Sequence, residues 1–209
     1  MRWLIDIGVF SIFVLLLLPV LNRQRKDGEG VTETVNNARQ IGIALFEFDT
    51  EYGKFPEAST VAEVKRRSGS TLILGGNSSN DLFAQLFAAG ICQTEAMFHA
   101  KSKSIKKPDG IWTSDATILA HAECGFAYIA GLDSKGNPST PIVFGPVIPG
   151  TRTLDASSNE GKVVILKMDN SVSSFPINSA GKVIIGGLDF LDPRQPYWQG
   201  KAPDVRWPK

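Results

Sequence analysis

The chain has 209 residues, with 22 lysines and arginines against 21 aspartates and glutamates. That near balance excludes a surface built on basic excess, so no nucleic-acid partner is expected. Hydrophobic residues make up 43% of the chain, enough to give one domain its own core once an apolar N-terminal run is set aside.

That run extends from Trp3 to Leu21, and Asp6 is its only charged residue. As a helix it would be roughly 28 Å long, close to the ~30 Å hydrocarbon core of a bilayer. The reading is a transmembrane anchor over residues 1–22. A cleaved secretory signal is the weaker reading, because Arg2 alone precedes the run and no small-x-small site follows it. Arg23, Arg25 and Lys26 follow the span, so charge alone would place the remainder of the chain in the cytoplasm. A carboxylate inside a span is a functional hypothesis by default. Asp6 is therefore read either as an assembly residue or as an interface residue solvated by headgroups.

Residues 23–56 are read as an amphipathic helix and its turn. Val31, Val35, Ala38, Ile41, Leu45 and Phe48 recur at steps of three and four, the period of a helix with one buried stripe. Gly53 and Pro56 stop the helix near Tyr52. One apolar stripe needs a partner surface, and residues 57–209, read as a globular α+β domain, supply it. Thr60 to Arg67 reads as a short helix. A second, capped by Asn80, places Leu82, Phe83, Leu86 and Phe87 on one face. Thr94 to Phe98 reads as a helical turn, and Lys101 to Lys107 as a solvated charged loop. From Gly125 the texture changes to short runs with period-two alternation. Strands are expected at Phe126–Ala130, Pro141–Val147, Lys162–Met168, Ser171–Ile177 and Lys182–Ile185. Asp169-Asn170 sits between two of them as a hairpin turn. The proline-rich tail from Asp192 is expected to be irregular and laid against the domain. A helix followed by hairpin-linked strands is an α+β layout, with the stripe of Val35, Ile41, Leu45 and Phe48 packed on a small antiparallel sheet.

Chemistry-bearing residues are sparse. His121, Glu123 and Cys124 lie within four positions, and His99 and Cys92 extend the set on paper. Zinc needs three or four ligands, and a cysteine nucleophile needs an oriented base and a pocket. No catalytic residue, resident metal or other cofactor is expected. Gly75-Gly76-Asn77 lacks the pattern of a phosphate-binding loop and reads as a turn. Cys92 and Cys124 are the only cysteines. They are read either as one disulfide of an exported domain or as two buried thiols.

Two stretches resemble a known family. The apolar N-terminal run leading into NNARQIGIALFEFDTEYGKFP, Asn36 to Pro56, is similar to the type IV pilin-like proteins, in particular the pseudopilins of type II secretion systems. Trp3-Leu4-Ile5-Asp6 resembles the end of their N-terminal signature, with Asp6 where the family has glutamate. Asp169-Asn170-Ser171-Val172 resembles a recurrent hairpin of such proteins. Trp3 stands where the family has phenylalanine, and no leader ending in glycine precedes it. The expectation is either a start further upstream or a divergent, uncut member.

The resemblance implies a transmembrane helix continuing into the amphipathic helix on its sheet. It implies a non-enzymatic subunit of a secretion or pilus-type machine, assembling through its N-terminal helix. Its partners would be other pilin-like subunits, inner-membrane secretion components and the lipid bilayer. The protein would be single-pass in the inner membrane, its C-terminal domain outside the cytoplasm, and Asp6 would pair with a neighbour's amino terminus. The competing expectation is a membrane-tethered extracytoplasmic binding domain that does not assemble. Some pseudopilins hold calcium in a C-terminal loop; Asp155, Asp189 and Asp192 are the loop carboxylates available for it here.

Overall fold

The computed structural model describes residues 29–114 and 118–209. Helix α1 occupies 29–52 and turns out at Gly53, whose φ of 81° suits a residue without Cβ. Its Ala38, Ile41, Leu45 and Phe48 are buried, with Val35 packed against the same core. A short 3-10 turn, Ala58–Thr60, leads into α2, Val61–Ser68, which ends at Gly69 in the left-handed region. Helix α3, Ser79–Ala88, is buried along nearly its whole length. Its cap is Ser78 and not Asn80. The Ser78 hydroxyl accepts from the Asp81 N–H, and the Asp81 carboxylate accepts from the Ser78 N–H, both at 3.1 Å. That reciprocal pair satisfies two amides that helix geometry leaves over. Asn80 instead donates to the Leu119 carbonyl at 2.7 Å, pinning the long connection that follows α3.

The main sheet holds β1 (Ala127–Ala130), β2 (Pro141–Gly145), β3 (Lys162–Lys167), β4 (Val172–Pro176) and β7 (Asp204–Arg206). The order is β4-β3-β2-β1-β7, with every pair antiparallel. Pro176 is tolerated because β4 is an edge strand. β5 (Ile184–Ile185) and β6 (Leu188–Asp189) form a separate two-stranded ribbon, so the expected fifth strand does not join the main sheet.

Both faces of the sheet are covered. Side chains alternate along a strand, and Val164 and Leu166 face the core shared with α1 and α3, together with Tyr128. Val163, Ile165, Ala127 and Ile129 face a second core closed by Val183, Phe190 and Trp198. The tail is thus partly irregular and partly a strand. It supplies β7 and the cover of the second face.

The expected transmembrane segment over 1–22 lies outside the described residues. Among the described residues no helix is long and apolar enough to cross a membrane. The expected fold, a membrane-spanning helix running on into α1, is corrected to an α+β domain with three α-helices and a five-stranded antiparallel sheet among the described residues. The single-pass inner-membrane localisation is corrected on the same finding.

Candidate functional site

The residues that carry the family resemblance meet in space. Gly42 is buried where α1 crosses the β3–β4 turn. A Cβ there would lie 2.1 Å from Asn170 Oδ1 and 3.1 Å from Leu166 Cδ2. Glycine lets the helix backbone approach the turn more closely than any other residue would. Asn170 holds φ at 60°, which asparagine tolerates, and its Oδ1 is buried without a hydrogen-bond partner among the described residues.

The end of the helix is latched as well. Tyr52 stacks on Phe48 with ring centroids 4.4 Å apart, and Phe46 meets Phe55 edge-on at 5.4 Å. The buried Tyr128 hydroxyl donates to the Pro56 carbonyl at 2.9 Å. Tyr52-Gly53-Lys54-Phe55-Pro56 therefore folds the chain back onto β1. Near the helix start, Asn37 donates to the carbonyls of Ala96 and His99 at 3.1 and 2.8 Å. Asn159 donates to Thr34 at 3.1 Å, and Thr34 donates to the Gly30 carbonyl at 2.8 Å.

Held on this side, α1 leaves its other face open. Asn36, Arg39, Gln40, Ile43, Glu47 and Thr50 form an exposed stripe, and Ile43 is 56% exposed in the middle of it. An apolar side chain in water on a rigid polar helix face is suited to lateral contact.

A second constellation lies in the segment between α3 and β1. Glu95, Asp109 and Glu123 bring carboxylate oxygens within 4.8 Å of one another. Leu119 N–H donates to Glu95 at 2.6 Å, Ile111 N–H to Asp109 at 2.7 Å, and Ala120 N–H to Glu123 at 2.9 Å. Burial pushes the Glu95 pKa up. The Leu119 and Gly110 N–H groups pull it down, while the charges of Glu123 and Asp109 push it further up, leaving it raised overall. Sequence reading singled out Glu123 but paired it with the wrong partners. Glu95, Asp109 and Glu123 share no spacing pattern, so only the fold brings them together.

The other sequence candidates are dispersed. Cys92 and Cys124 are free, buried thiols. Cys92 packs against Met97, with the sulfurs 3.8 Å apart, and Cys124 Sγ lies 3.8 Å from Ser79 Oγ. Burial pushes both thiols up to about 12, so neither is a nucleophile near neutral pH. His99 lies 3.4 Å from Glu33, and His121 is exposed. Asp155 accepts from Ser102 and Ser157. Asp189 lies 4.0 Å from Lys182, and Asp192 pairs with Arg194 at 2.7 Å. Those three aspartates do not converge among the described residues, and the calcium set expected from them is not assembled. Asp6 lies outside the described residues. Comparison with protein-family models, curated proteins and solved structures finds no match for this chain.

Proposed function

We propose that this chain is a non-enzymatic, pilin-like subunit that works by assembling laterally with like subunits through the open face of α1. The observation that carries the reading is the seam at Gly42. There the two stretches that resemble pilin-like proteins, Asn36–Pro56 and Asp169–Val172, pack against each other at a distance only glycine permits. A helix fixed so closely to its sheet is a rigid rod, and its exposed stripe centred on Ile43 is free to meet a neighbour. The partners are other pilin-like subunits of a secretion or pilus-type machine, and no cofactor takes part in the assembly itself.

The test is Ile43→Glu. Wild-type chain should form oligomers in sedimentation velocity, and the variant should remain monomeric. Exposed substitutions usually change stability by less than about 0.5 kcal/mol, so the urea midpoint of the variant should match wild type. A wild type that stays monomeric at every concentration would overturn the reading, as would a variant that assembles equally well.

A further inference from the structure

Glu95 is fully buried, at 0% exposure, yet half of its carboxylate is unused. Oε1 takes the Leu119 N–H, and Oε2 has no hydrogen-bond partner among the described residues. Natural interiors seldom leave such an oxygen unmatched, because desolvating it without a donor is costly. The nearest carboxylates deepen the problem. Asp109 and Glu123 each bring a carboxylate oxygen within 4.8 Å of one of those of Glu95, so three acidic groups crowd into a space where one of them has lost its water.

The crowding is held in place from three separate segments. Glu95 opens the short 3-10 turn Ala96–Phe98 after α3. Asp109 stands on an exposed loop, and Glu123 lies shortly before β1. A backbone N–H orients each carboxylate, so the three are fixed by main chain and do not meet by side-chain drift. One positive centre between them would neutralise the repulsion and satisfy the free oxygen together.

The donor set is all oxygen, which selects a hard cation. Calcium binds oxygen at about 2.3–2.6 Å, so two ligands across it are at most about 5 Å apart. Oxygens that all lie within 4.8 Å of one another can share such an ion. Magnesium needs near-ideal octahedral geometry at about 2.0–2.1 Å, a poor match for three loops. Exposed Asp109 leaves a route to solvent, and water completes the shell.

We propose that Glu95, Asp109 and Glu123 bind one calcium ion, which ties the long connection between α3 and β1 into a single unit. This stands apart from the assembly reading and is tested separately. Calcium is titrated calorimetrically into full chain stripped of metal by chelator, alongside Glu95→Gln and Asp109→Asn. One calcium per chain is expected, with affinity lowered at least about tenfold in either variant. Asp109 is exposed, so its variant keeps the test open even if Glu95→Gln fails to fold. Terbium provides a second readout. Its luminescence, excited through Trp112 in the loop beside Asp109, should fall when calcium is added and be weak in Asp109→Asn. Absence of calcium binding to wild type would overturn the proposal. So would unchanged binding by Asp109→Asn, or magnesium bound as tightly as calcium.

Discussion

Gly42→Ala sets two effects of opposite sign against each other. In a helix interior the change by itself gains about 1 kcal/mol. At this position the new methyl would sit 2.1 Å from Asn170 Oδ1 and 3.1 Å from Leu166 Cδ2. Asn170 can withdraw only by turning its side chain, whose Oδ1 is buried, away from α1. Inserting a methyl into a filled interior costs about 1–3 kcal/mol. A 2.1 Å approach is far inside contact distance, so the upper half of that range applies, and the net loss is about 1–2 kcal/mol. Asn170→Gly removes the obstacle and suits the backbone, and should alter stability by less than about 0.5 kcal/mol. In that background Gly42→Ala should instead stabilise by roughly 0.5–1 kcal/mol, giving a coupling of about 2 kcal/mol across the cycle. Urea unfolding followed by far-UV circular dichroism measures all four chains. The reasoning fails if Gly42→Ala alone is stabilising, or if the coupling is below about 0.5 kcal/mol.

Three further outcomes follow from the same structure. Phe48→Ala, at a fully buried position under the sheet, should cost about 3–5 kcal/mol in urea unfolding; a loss below ~1 kcal/mol would show that the stripe is not core. Burial pushes the Asp81 carboxyl up, but the Lys209 ammonium and the hydrogen bonds from Ser78 and Asn77 outweigh it and hold the pKa below the usual carboxylate range. A lowered folded-state pKa adds stability above the unfolded value of about 3.9 and loses it as the pH falls through the folded value. Asp81→Asn should therefore cost about 1 kcal/mol at neutral pH, and the gap from wild type should close in acid; a gap independent of pH would contradict this origin. Neither Cys92 nor Cys124 should react with a thiol reagent in the native state, since burial pushes both up to about 12, whereas both should react in urea. Rapid native labelling, or an intact mass corresponding to an internal bridge, would contradict the buried-thiol description.

The local elements were legible where a period or a turn signal marks them. The stripe of α1 follows from spacing alone, and so does the Asp169-Asn170 hairpin between β3 and β4. What the sequence left obscure is what distance in the chain conceals. Val183, Phe190 and Trp198 close the second face of the sheet, but no regular spacing joins them, so the expectation that the tail lies against the domain did not extend to which face it covers. β7 is three residues long and pairs with β1 across most of the domain, too short a run to show alternation. Ser78 and Asn80 both suit a helix cap. The choice between them was made by the Leu119 carbonyl, which claims Asn80 from the far end of the α3–β1 connection. For the site, Gly42 stood in a recognisable phrase, yet its reason is the contact with Asn170 and Leu166. Glu95 and Asp109 carried no signal, because neither neighbours the other or Glu123 in sequence.

Lateral assembly through α1 is tested most directly by placing a photo-activated cross-linking residue at position 43 of the full chain and resolving the irradiated products by size. If α1 meets a neighbouring subunit through its exposed stripe, the account predicts products in which one chain is linked to another through position 43. Irradiated chain that runs as monomer alone would contradict it.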